Sequence, residues 1–134
     1  MTDAPTAPLK ILVVDDEPLA RLRLRGLLAD ISQPLSEVVG EAGSGSEALH
    51  LLTRLRVDLL LLDIHMPGLD GLALAQRLCG LDHAPAVVFV TAHAEHALGA
   101  FDLDAVDYLT KPVRRERLQQ ALQRVRTRLG RAAA

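Results

Sequence analysis

Aromatic residues and cysteine are scarce in this sequence, and their scarcity excludes several functions. There is no tryptophan, and one tyrosine and two phenylalanines stand among 134 residues, so stacking of nucleic-acid bases on aromatic side chains is not expected. The one cysteine, Cys79, excludes an internal disulfide. Apolar runs such as Leu59 to Leu62 are far too short to span a bilayer, and residues 1–8 lack the features of a signal peptide. We therefore expect a soluble, cytoplasmic protein that does not enter a membrane.

An excess of charge of one sign is also missing. The 15 Lys and Arg residues nearly balance the 17 Asp and Glu residues, for a formal net charge of −2. The whole chain therefore has no field that would attract DNA or an anionic membrane. The length suits one compact domain. We predict a disordered lead at residues 1–8, a domain at 9–129, and a tail or the start of a linker at 130–134.

Five short apolar runs alternate with segments of helical period, an order typical of an α/β fold. The predicted strands are Lys10 to Val14, Val38 to Ala42, Leu59 to Asp63, Ala86 to Thr91 and Val106 to Thr110. Three of them are continuously apolar, which indicates burial on both faces and a parallel sheet covered by helices. The alternation predicts right-handed crossovers and a doubly wound sheet of five strands.

The helices between the strands are predicted with differing strength. Ser44 or Ser46 can cap the second helix. Leu72 to Leu78 gives a short third helix and Glu95 to Phe101 a weak fourth. The first and last helices have clear apolar stripes, which consist of Ala20, Leu24, Leu27, Leu28 and Ile31 in the first and of Leu118, Ala121, Leu122, Val125 and Leu129 in the last.

Polar residues follow the predicted strands at their carboxyl ends, where doubly wound sheets form their binding sites. Asp15 and Asp16 follow the first strand, and Asp63 ends the third. Thr91 ends the fourth strand, and the fifth runs into Lys111. Three carboxylates at one edge would repel one another unless a cation were present. A hard divalent ion such as Mg²⁺ is the cation that carboxylate and carbonyl oxygens favour.

These residue types suit phosphoryl transfer. Asp63 can attack phosphorus, while Asp16 and the backbone carbonyl of His65 hold the metal that neutralises the phosphoryl oxygens. Lys111 can bind the remaining negative charge. Thr91 can offer its hydroxyl to a phosphoryl oxygen.

Four segments resemble, in order and spacing, the signature segments of the receiver domains of two-component systems. They are ILVVDDEP, LLLLDIHMPGLDG, VFVTAH and DYLTKP, and the resemblance extends from Lys10 to Leu129. It implies a flavodoxin-like (CheY-like) fold with strand order 2-1-3-4-5. Segments such as DEPLARLRL and AVDYLTKPV are more particularly similar to receivers of the AlgR/LytR type, whose output is usually a LytTR DNA-binding domain.

The resemblance implies a phosphorylation site and a metal site. Asp63 would accept a phosphoryl group from a sensor histidine kinase. Mg²⁺ would bind through Asp16, Asp63 and the backbone carbonyl of His65, and Asp15 would assist through water. The chain would then be a switch in transcription regulation rather than an enzyme, and it would reach DNA only through an output domain that this sequence does not contain.

The resemblance also implies how the switch is read. Lys111 would bind the phosphoryl group, and Thr91 and Tyr108 would form the switch pair. The peptide bond between Lys111 and Pro112 is commonly cis in this family.

Each motif also has a plainer interpretation. Asp15 to Pro18 can simply start a helix, with an acidic cap and proline in the first turn. Cys79 is expected to be a packed small hydrophobe, and the histidines are expected to face solvent. The arginines of the first helix are most simply a solvated face or, by resemblance, a docking surface for the kinase; they are Arg21, Arg23 and Arg25.

Two other functions use the same architecture. A phosphatase of the haloacid-dehalogenase type would have a second aspartate two residues after the nucleophile, but His65 stands there. A nucleotide or flavin binder would need a glycine-rich turn after the first strand, where this sequence has Asp15, Asp16, Glu17 and Pro18.

Phosphorylation is predicted to promote a symmetric dimer through the predicted fourth helix, the fifth strand and the last helix. The acidic residues of this face are Asp102, Asp104 and Asp107, and the basic residues are Arg117, Arg124 and Arg128. Opposite patches can pair reciprocally across a two-fold axis, and such a dimer would weaken with salt. The alternative is a solvated basic helix without a partner.

Overall fold

The computed structural model describes residues 7–92 and 104–133. The strands are β1 (Leu9–Val14), β2 (Ser36–Ala42), β3 (Leu59–Leu62), β4 (Ala86–Thr91) and β5 (Asp107–Thr110). The helices are α1 (Pro18–Ala29), α2 (Gly45–Leu52), α3 (Gly71–Leu78) and α4 (Arg115–Ala133). All five predicted strands are present, because their β-branched and leucine-rich runs are long enough only for strands and are bounded by turn residues.

The five strands form one parallel sheet in the order β2-β1-β3-β4-β5. This confirms the predicted doubly wound α/β fold with strand order 2-1-3-4-5. From β1 the chain moves outward to β2 and then crosses back over β1 to β3. The reversal creates a crevice between the carboxyl ends of β1 and β3, which is where ligands bind in sheets of this kind.

Two apolar clusters cover the opposite faces of the sheet. On one face the strands pack against α1 and α4, through side chains such as Leu24 and Leu118. On the other face they pack against α2 and α3, through side chains such as Ala48 and Leu74. The four leucines of β3 are fully buried between these layers. The continuous apolar run of β3 is thus explained by burial on both sides.

Polar side chains cap the N-termini of two helices at the carboxyl edge of the sheet. The Ser44 hydroxyl accepts a hydrogen bond from the Glu47 amide at 3.1 Å, so Ser44 rather than Ser46 caps α2. Asp70 caps α3 and accepts from the Ala73 amide at 2.8 Å. Each cap satisfies an amide that has no partner within its helix. These helix starts therefore hold the loops of the carboxyl edge in place.

Some predicted segments lie outside the described residues. These are the fourth predicted helix, Glu95 to Phe101, and most of the predicted lead. Helix α4 continues to Ala133, past Leu129, the last residue of its predicted apolar stripe. The division into a lead, a domain at 9–129 and a tail stays a prediction. Within the two described ranges, we find no helix with the length and apolar character needed to cross a bilayer.

The prediction that Cys79 is a packed small hydrophobe was wrong. Cys79 is exposed at the C-terminal cap of α3, one residue beyond the buried Leu78, because the chain leaves the helix there and turns into solvent. The prediction that the histidines face solvent is confirmed for His50, His65 and His83, which are exposed, whereas His93 and His96 lie outside the described residues.

Candidate functional site

Backbone hydrogen bonds place two aspartates side by side at the carboxyl edge of the sheet. Strands β1 and β3 pair as far as Val14 and Leu62, and the Asp63 amide donates to the Val14 carbonyl at 2.9 Å. The Asp15 amide donates to the carbonyl of Ala42, at the end of β2, at 3.0 Å. Both aspartates are therefore anchored to a neighbouring strand at the point where the crevice opens.

Asp15, Asp16 and Asp63 form an acidic cluster in this crevice. Each offers a carboxylate oxygen that lies within 4.8 Å of the other two. Asp15 and Asp63 are 1% and 6% exposed, and Asp16 is exposed. Burial raises the pKa of Asp63 above its ordinary value, and the charge of Asp15 adds to this effect. An all-oxygen donor set, crowded and partly open to water, fits a hard divalent cation that keeps some of its water ligands.

The ammonium group of Lys111 reaches into the acidic cluster from the loop after β5. Its Nζ lies 2.8 Å from Asp15 Oδ2, 3.7 Å from Asp63 Oδ2 and 3.9 Å from Glu17 Oε1. Burial by itself would lower the pKa of Lys111, but the hydrogen bond to Asp15 and the charge of Asp63 outweigh it, so the pKa is raised. Lys111 therefore stays charged at neutral pH. The peptide bond from Lys111 to Pro112 is cis, as the resemblance implied.

Thr91 and Tyr108 lie on neighbouring strands and on the same face of the sheet. Thr91 is 1% exposed at the end of β4, and its carbonyl accepts from the Lys111 amide at 2.7 Å. In the register of β4 and β5, Phe89 is paired with Tyr108 and Thr91 with Thr110, so Tyr108 is one same-face step away from Thr91. The structure brings the two predicted switch residues together, and their role stays a prediction.

The loop between β3 and α3 holds His65 close to Asp63. The His65 amide lies 3.4 Å from Asp63 Oδ1. Gly68 has a φ of 74°, which glycine adopts without steric cost. The Gly71 amide donates to the Ile64 carbonyl at 2.9 Å, and a Cβ at Gly71 would collide with the Asp63 carbonyl and lie 2.8 Å from Ile64 Cα. The bare Gly71 backbone thus lets α3 start directly against this loop.

Arg21 was missed as a neighbour of the site. Its Nη1 donates to the Asp15 carbonyl at 2.7 Å and its Nε to Glu41 Oε1 at 3.0 Å. The prediction of a solvated face is wrong for Arg21, whose side chain is 20% exposed, and holds for the exposed Arg23 and Arg25. The sequence could have placed Arg21 near the preceding loop, because helical side chains point toward the N-terminus, but it carried no signal for the bond to Glu41, which lies on another element.

The charges that were predicted to pair between two copies pair within one chain. The pairs are Asp107 with Arg117 at 2.7 Å, Asp107 with Arg124 at 2.9 Å, and Asp104 with Arg128 at 2.6 Å. Asp102 lies outside the described residues. The prediction that these patches are available for reciprocal pairing is therefore wrong for this conformation, because α4 packs beside β5 and brings the opposite charges into contact.

The acidic cluster, with its lysine at the switch point of a five-stranded parallel sheet, defines a domain of the CheY-like receiver class. The chain belongs to the response regulator receiver domain family, whose model matches residues 11–123. It is thus a receiver domain of a two-component response regulator, a signalling switch. The sequence-based recognition of this family is confirmed.

Two curated relatives support this assignment. The chain is 51% identical over 116 residues to the positive alginate biosynthesis regulatory protein of Pseudomonas aeruginosa, and the match covers 87% of the chain and 46% of the relative. It is 46% identical over 118 residues to the transcriptional regulatory protein BtsR of Salmonella typhi, covering 88% and 48%. The chain thus spans about half the length of these relatives. The resemblance to receivers of the AlgR/LytR type is confirmed.

Solved structures agree with the fold. The response regulatory domain of protein MrkE from Klebsiella pneumoniae is 39% identical and superposes with a TM-score of 0.81 over 92% of this chain and 99% of that one. The receiver domain of AraT, a response regulator from Geobacillus stearothermophilus, is 33% identical, with a TM-score of 0.82 over 96% and 100%.

Proposed function

We propose that this receiver domain is switched when Asp63 accepts a phosphoryl group from a sensor histidine kinase. The observation that carries the proposal is the setting of Asp63 in the acidic cluster. Its carboxylate is buried, lies within 4.8 Å of oxygens of Asp15 and Asp16, and has the Lys111 ammonium 3.7 Å away. A carboxylate that belongs to a cation-binding cluster and lies near an ammonium is suited to accept a phosphoryl group. Both the bound cation and the ammonium would neutralise the negative charge of the incoming phosphoryl oxygens.

The transfer is a displacement at phosphorus. An Oδ atom of Asp63 attacks the phosphorus of a phosphohistidine, and the bond from phosphorus to the imidazole nitrogen breaks as the new P–O bond forms. The nitrogen keeps the electron pair of the broken bond. Lys111, now bonded to Asp15 at 2.8 Å, turns its ammonium toward the added phosphoryl oxygens, and the Thr91 hydroxyl donates to another of them.

The acidic cluster is proposed to hold Mg²⁺. Asp16, Asp63 and the backbone carbonyl of His65 would be the protein ligands, and Asp15 would assist through water. When bound, the ion neutralises the phosphoryl oxygens during transfer. Support comes from the donor set: three carboxylates have oxygens within 4.8 Å of one another, two of them are buried, and the single ammonium of Lys111 beside them balances only part of their negative charge.

Thr91 and Tyr108 are proposed to change conformation when Asp63 is phosphorylated. A Thr91 hydroxyl drawn toward the phosphoryl group vacates space into which the Tyr108 ring can turn, which biases β5 between two conformations. The output controlled in this way is proposed to be a LytTR-type DNA-binding domain acting in the cytoplasm, since the relatives are about twice as long and one is named a transcriptional regulatory protein. Apart from self-phosphorylation and loss of the phosphoryl group, no enzymatic turnover is proposed.

The proposal is tested by mass spectrometry of the intact protein after incubation with acetyl phosphate and Mg²⁺. We expect a mass gain of one phosphoryl group in the parent protein and none in Asp63→Asn, because the amide is a poor nucleophile of similar shape. Equal labelling of the variant would refute the assignment of Asp63. Turnover of an external phosphoester would favour the phosphatase alternative instead.

Lys111→Ala separates sensing from transfer. Because Lys111 is proposed to bind the added charge while Asp63 carries the new bond, the variant should retain some labelling but lose the conformational response. Beryllium fluoride, a mimic of the aspartyl phosphate, should shift the NMR resonances of β5 in the parent and leave them nearly unchanged in the variant. Equal shifts in both proteins would show that Lys111 is not the sensor.

A further inference from the structure

We propose that Arg21 is a positioning residue for the loop that carries Asp16, and that Glu41 holds Arg21 in place. The inference rests on the proposed metal site, but Arg21 and Glu41 themselves have no role in that proposal. Arg21 is the fourth residue of α1, and its guanidinium bridges two elements: Nη1 donates to the Asp15 carbonyl at 2.7 Å, and Nε donates to Glu41 Oε1 at 3.0 Å. Glu41 lies near the end of β2, next to Ala42, whose carbonyl holds the Asp15 amide.

Each of the three oxygen atoms of Asp15 accepts a hydrogen bond from a different residue. Oδ1 accepts from the Glu17 amide at 2.9 Å, Oδ2 accepts from Lys111 Nζ at 2.8 Å, and the backbone carbonyl accepts from Arg21. The carbonyl belongs to the peptide unit that joins Asp15 to Asp16. Fixing this carbonyl therefore fixes the peptide plane from which the exposed Asp16 side chain leaves, because each peptide unit is rigid.

The geometry indicates that Arg21 orients the loop, rather than acting only as a positive charge near the acidic cluster. Arg21 is well suited to the bridge, because its planar guanidinium presents several donors in fixed directions. Its side chain is 20% exposed, so the bridge is largely shielded from water. Arg25 offers a matched comparison: it is 54% exposed and donates to Glu41 Oε2 at 2.8 Å, and among the described residues its ion pair is with Glu41 alone.

Positioning and Coulomb attraction predict opposite effects on metal affinity. Removal of a positive charge beside an acidic cluster would by itself strengthen the binding of a divalent cation. Removal of a group that orients the ligand loop weakens it, as loss of supporting hydrogen bonds around metal sites does, by about tenfold. The sign of the change in affinity therefore separates the two roles of Arg21.

The test is isothermal titration of the unphosphorylated protein with Mg²⁺, using Arg21→Gln, Arg21→Lys and the matched control Arg25→Gln. We expect Arg21→Gln to bind Mg²⁺ about tenfold more weakly and Arg25→Gln to bind as the parent does. Arg21→Lys keeps the charge but cannot bridge both partners, so it should resemble Arg21→Gln. Unchanged or tighter binding by Arg21→Gln, or full affinity in Arg21→Lys, would overturn the proposal.

Hydrogen exchange of the Glu17 amide in metal-free protein gives a readout that does not depend on the ion. This amide is bonded to Asp15 Oδ1, so a loosened loop exposes it, and it should exchange faster in Arg21→Gln and Glu41→Gln than in Arg25→Gln. Equal exchange in all three variants would overturn the positioning role. If the parent itself bound no Mg²⁺, the proposed metal site would fail, while the exchange rates would still decide whether Arg21 holds the loop.

Discussion

Asp15 shows at the scale of a single residue how one aspartate serves the fold and the site together. Its Oδ1 accepts from the Glu17 amide just before α1 begins at Pro18, so the predicted helix start with proline in the first turn is correct, whereas the N-cap residue Glu17 makes no side-chain capping hydrogen bond. Its Oδ2 binds Lys111 at 2.8 Å within the acidic cluster. A helix start and a place in the acidic cluster are thus compatible for Asp15, because its two carboxylate oxygens face different partners.

Asp63 is expected to cost stability in the absence of a cation. Its pKa is raised in the folded chain, first by burial and then by the charge of Asp15. The folded state thus favours the protonated form of Asp63. The resulting loss of folding stability is absent below the ordinary pKa, grows as the pH rises from the ordinary to the raised pKa, and is complete above the raised pKa. Asp63→Asn removes this cost and should therefore stabilise the metal-free protein at pH 7.

Urea unfolding of both proteins in EDTA checks this expectation at two pH values. The stabilisation by Asp63→Asn should shrink at about pH 4, near the ordinary pKa of aspartate. Added Mg²⁺ should stabilise the parent more than the variant, since ligand binding to the folded state adds to its stability. A variant that is less stable than the parent in EDTA at pH 7 would contradict the prediction.

At the scale of elements, Asp107 connects β5 to α4. It is 6% exposed, and both of its carboxylate oxygens are bonded to arginines of α4, Arg117 and Arg124. Burial alone would raise the pKa of Asp107, but the hydrogen bond from Arg117 outweighs it and the pKa is lowered. Arg117 also donates to the Tyr108 carbonyl at 3.3 Å. The start of β5 is thus fixed to the helix beside it.

Asp107→Asn should destabilise the domain by about 1.5 to 3 kcal/mol at pH 7, the range for hydrogen bonds to charged groups. Since the folded pKa is depressed, this stability is present above the ordinary aspartate pKa and is lost as the pH falls through the folded value. The deficit of the variant should therefore narrow in acid. Asp104→Asn is the control: its carboxylate is 81% exposed and pairs with Arg128, so it should cost less than about 1 kcal/mol. Equal losses in urea unfolding would contradict the prediction.

Helix α3 depends on Gly71 for its place against the loop that carries His65. Gly71→Ala would put a Cβ against the Asp63 carbonyl and 2.8 Å from Ile64 Cα, and these backbone atoms cannot move aside freely. We expect a loss of about 1 to 3 kcal/mol, as for overpacked cores, together with weaker Mg²⁺ binding.

Gly26→Ala is the matched control for Gly71→Ala. Gly26 lies within α1, and an added Cβ would meet nothing within 4 Å. This substitution should stabilise the domain by about 0.5 to 1 kcal/mol, because alanine loses less backbone entropy in a helix. Thermal unfolding of the two variants measures both effects, and a change of the same sign in both would contradict the argument from close approach.

At the scale of the whole molecule, the structure alters the reasoning behind the predicted dimer. The acidic and basic residues that were to pair across a two-fold axis are paired within the chain. A dimer through the predicted fourth helix, β5 and α4 stays a proposal. Each ion pair formed between two copies would replace an ion pair within a chain, so the total number of pairs would not change. Exposed ion pairs would therefore add little to the free energy of association.

Sedimentation with and without beryllium fluoride, at low and high salt, tests the dimer. We expect a monomer without the mimic and a dimer with it, and the exchange of pairs predicts that association changes little with salt. A monomer under every condition would refute the dimer and leave the assignment of Asp63 intact. A steep decrease of association with salt would instead restore reciprocal charge pairing as its driving force.

The fold and the membership of the acidic cluster were predictable from the sequence because both depend on local signals. Apolar runs such as Leu59 to Leu62 mark buried strands, and in a parallel sheet their carboxyl ends must lie at one edge. Asp15, Asp16 and Asp63 follow such runs, and their oxygens do lie within 4.8 Å. The exposed Cys79 was mispredicted, because a shift of one residue at a helix end changes which way a side chain faces.

What only the tertiary structure decided is which charged group meets which. The bridge from Arg21 to Glu41 joins residues 20 positions apart, and the pair of Lys111 with Asp15 joins residues 96 positions apart. Composition and periodicity show that such charges exist and on which element they lie. Their partners depend on helix placement and side-chain reach across neighbouring strands, and long-range contacts of this kind have no local pattern. The sequence by itself therefore determined the receiver fold and the residues at its carboxyl edge, whereas packing of α1 and α4 on the sheet decided that Arg21 faces the site and that Asp107 is bound within its own chain.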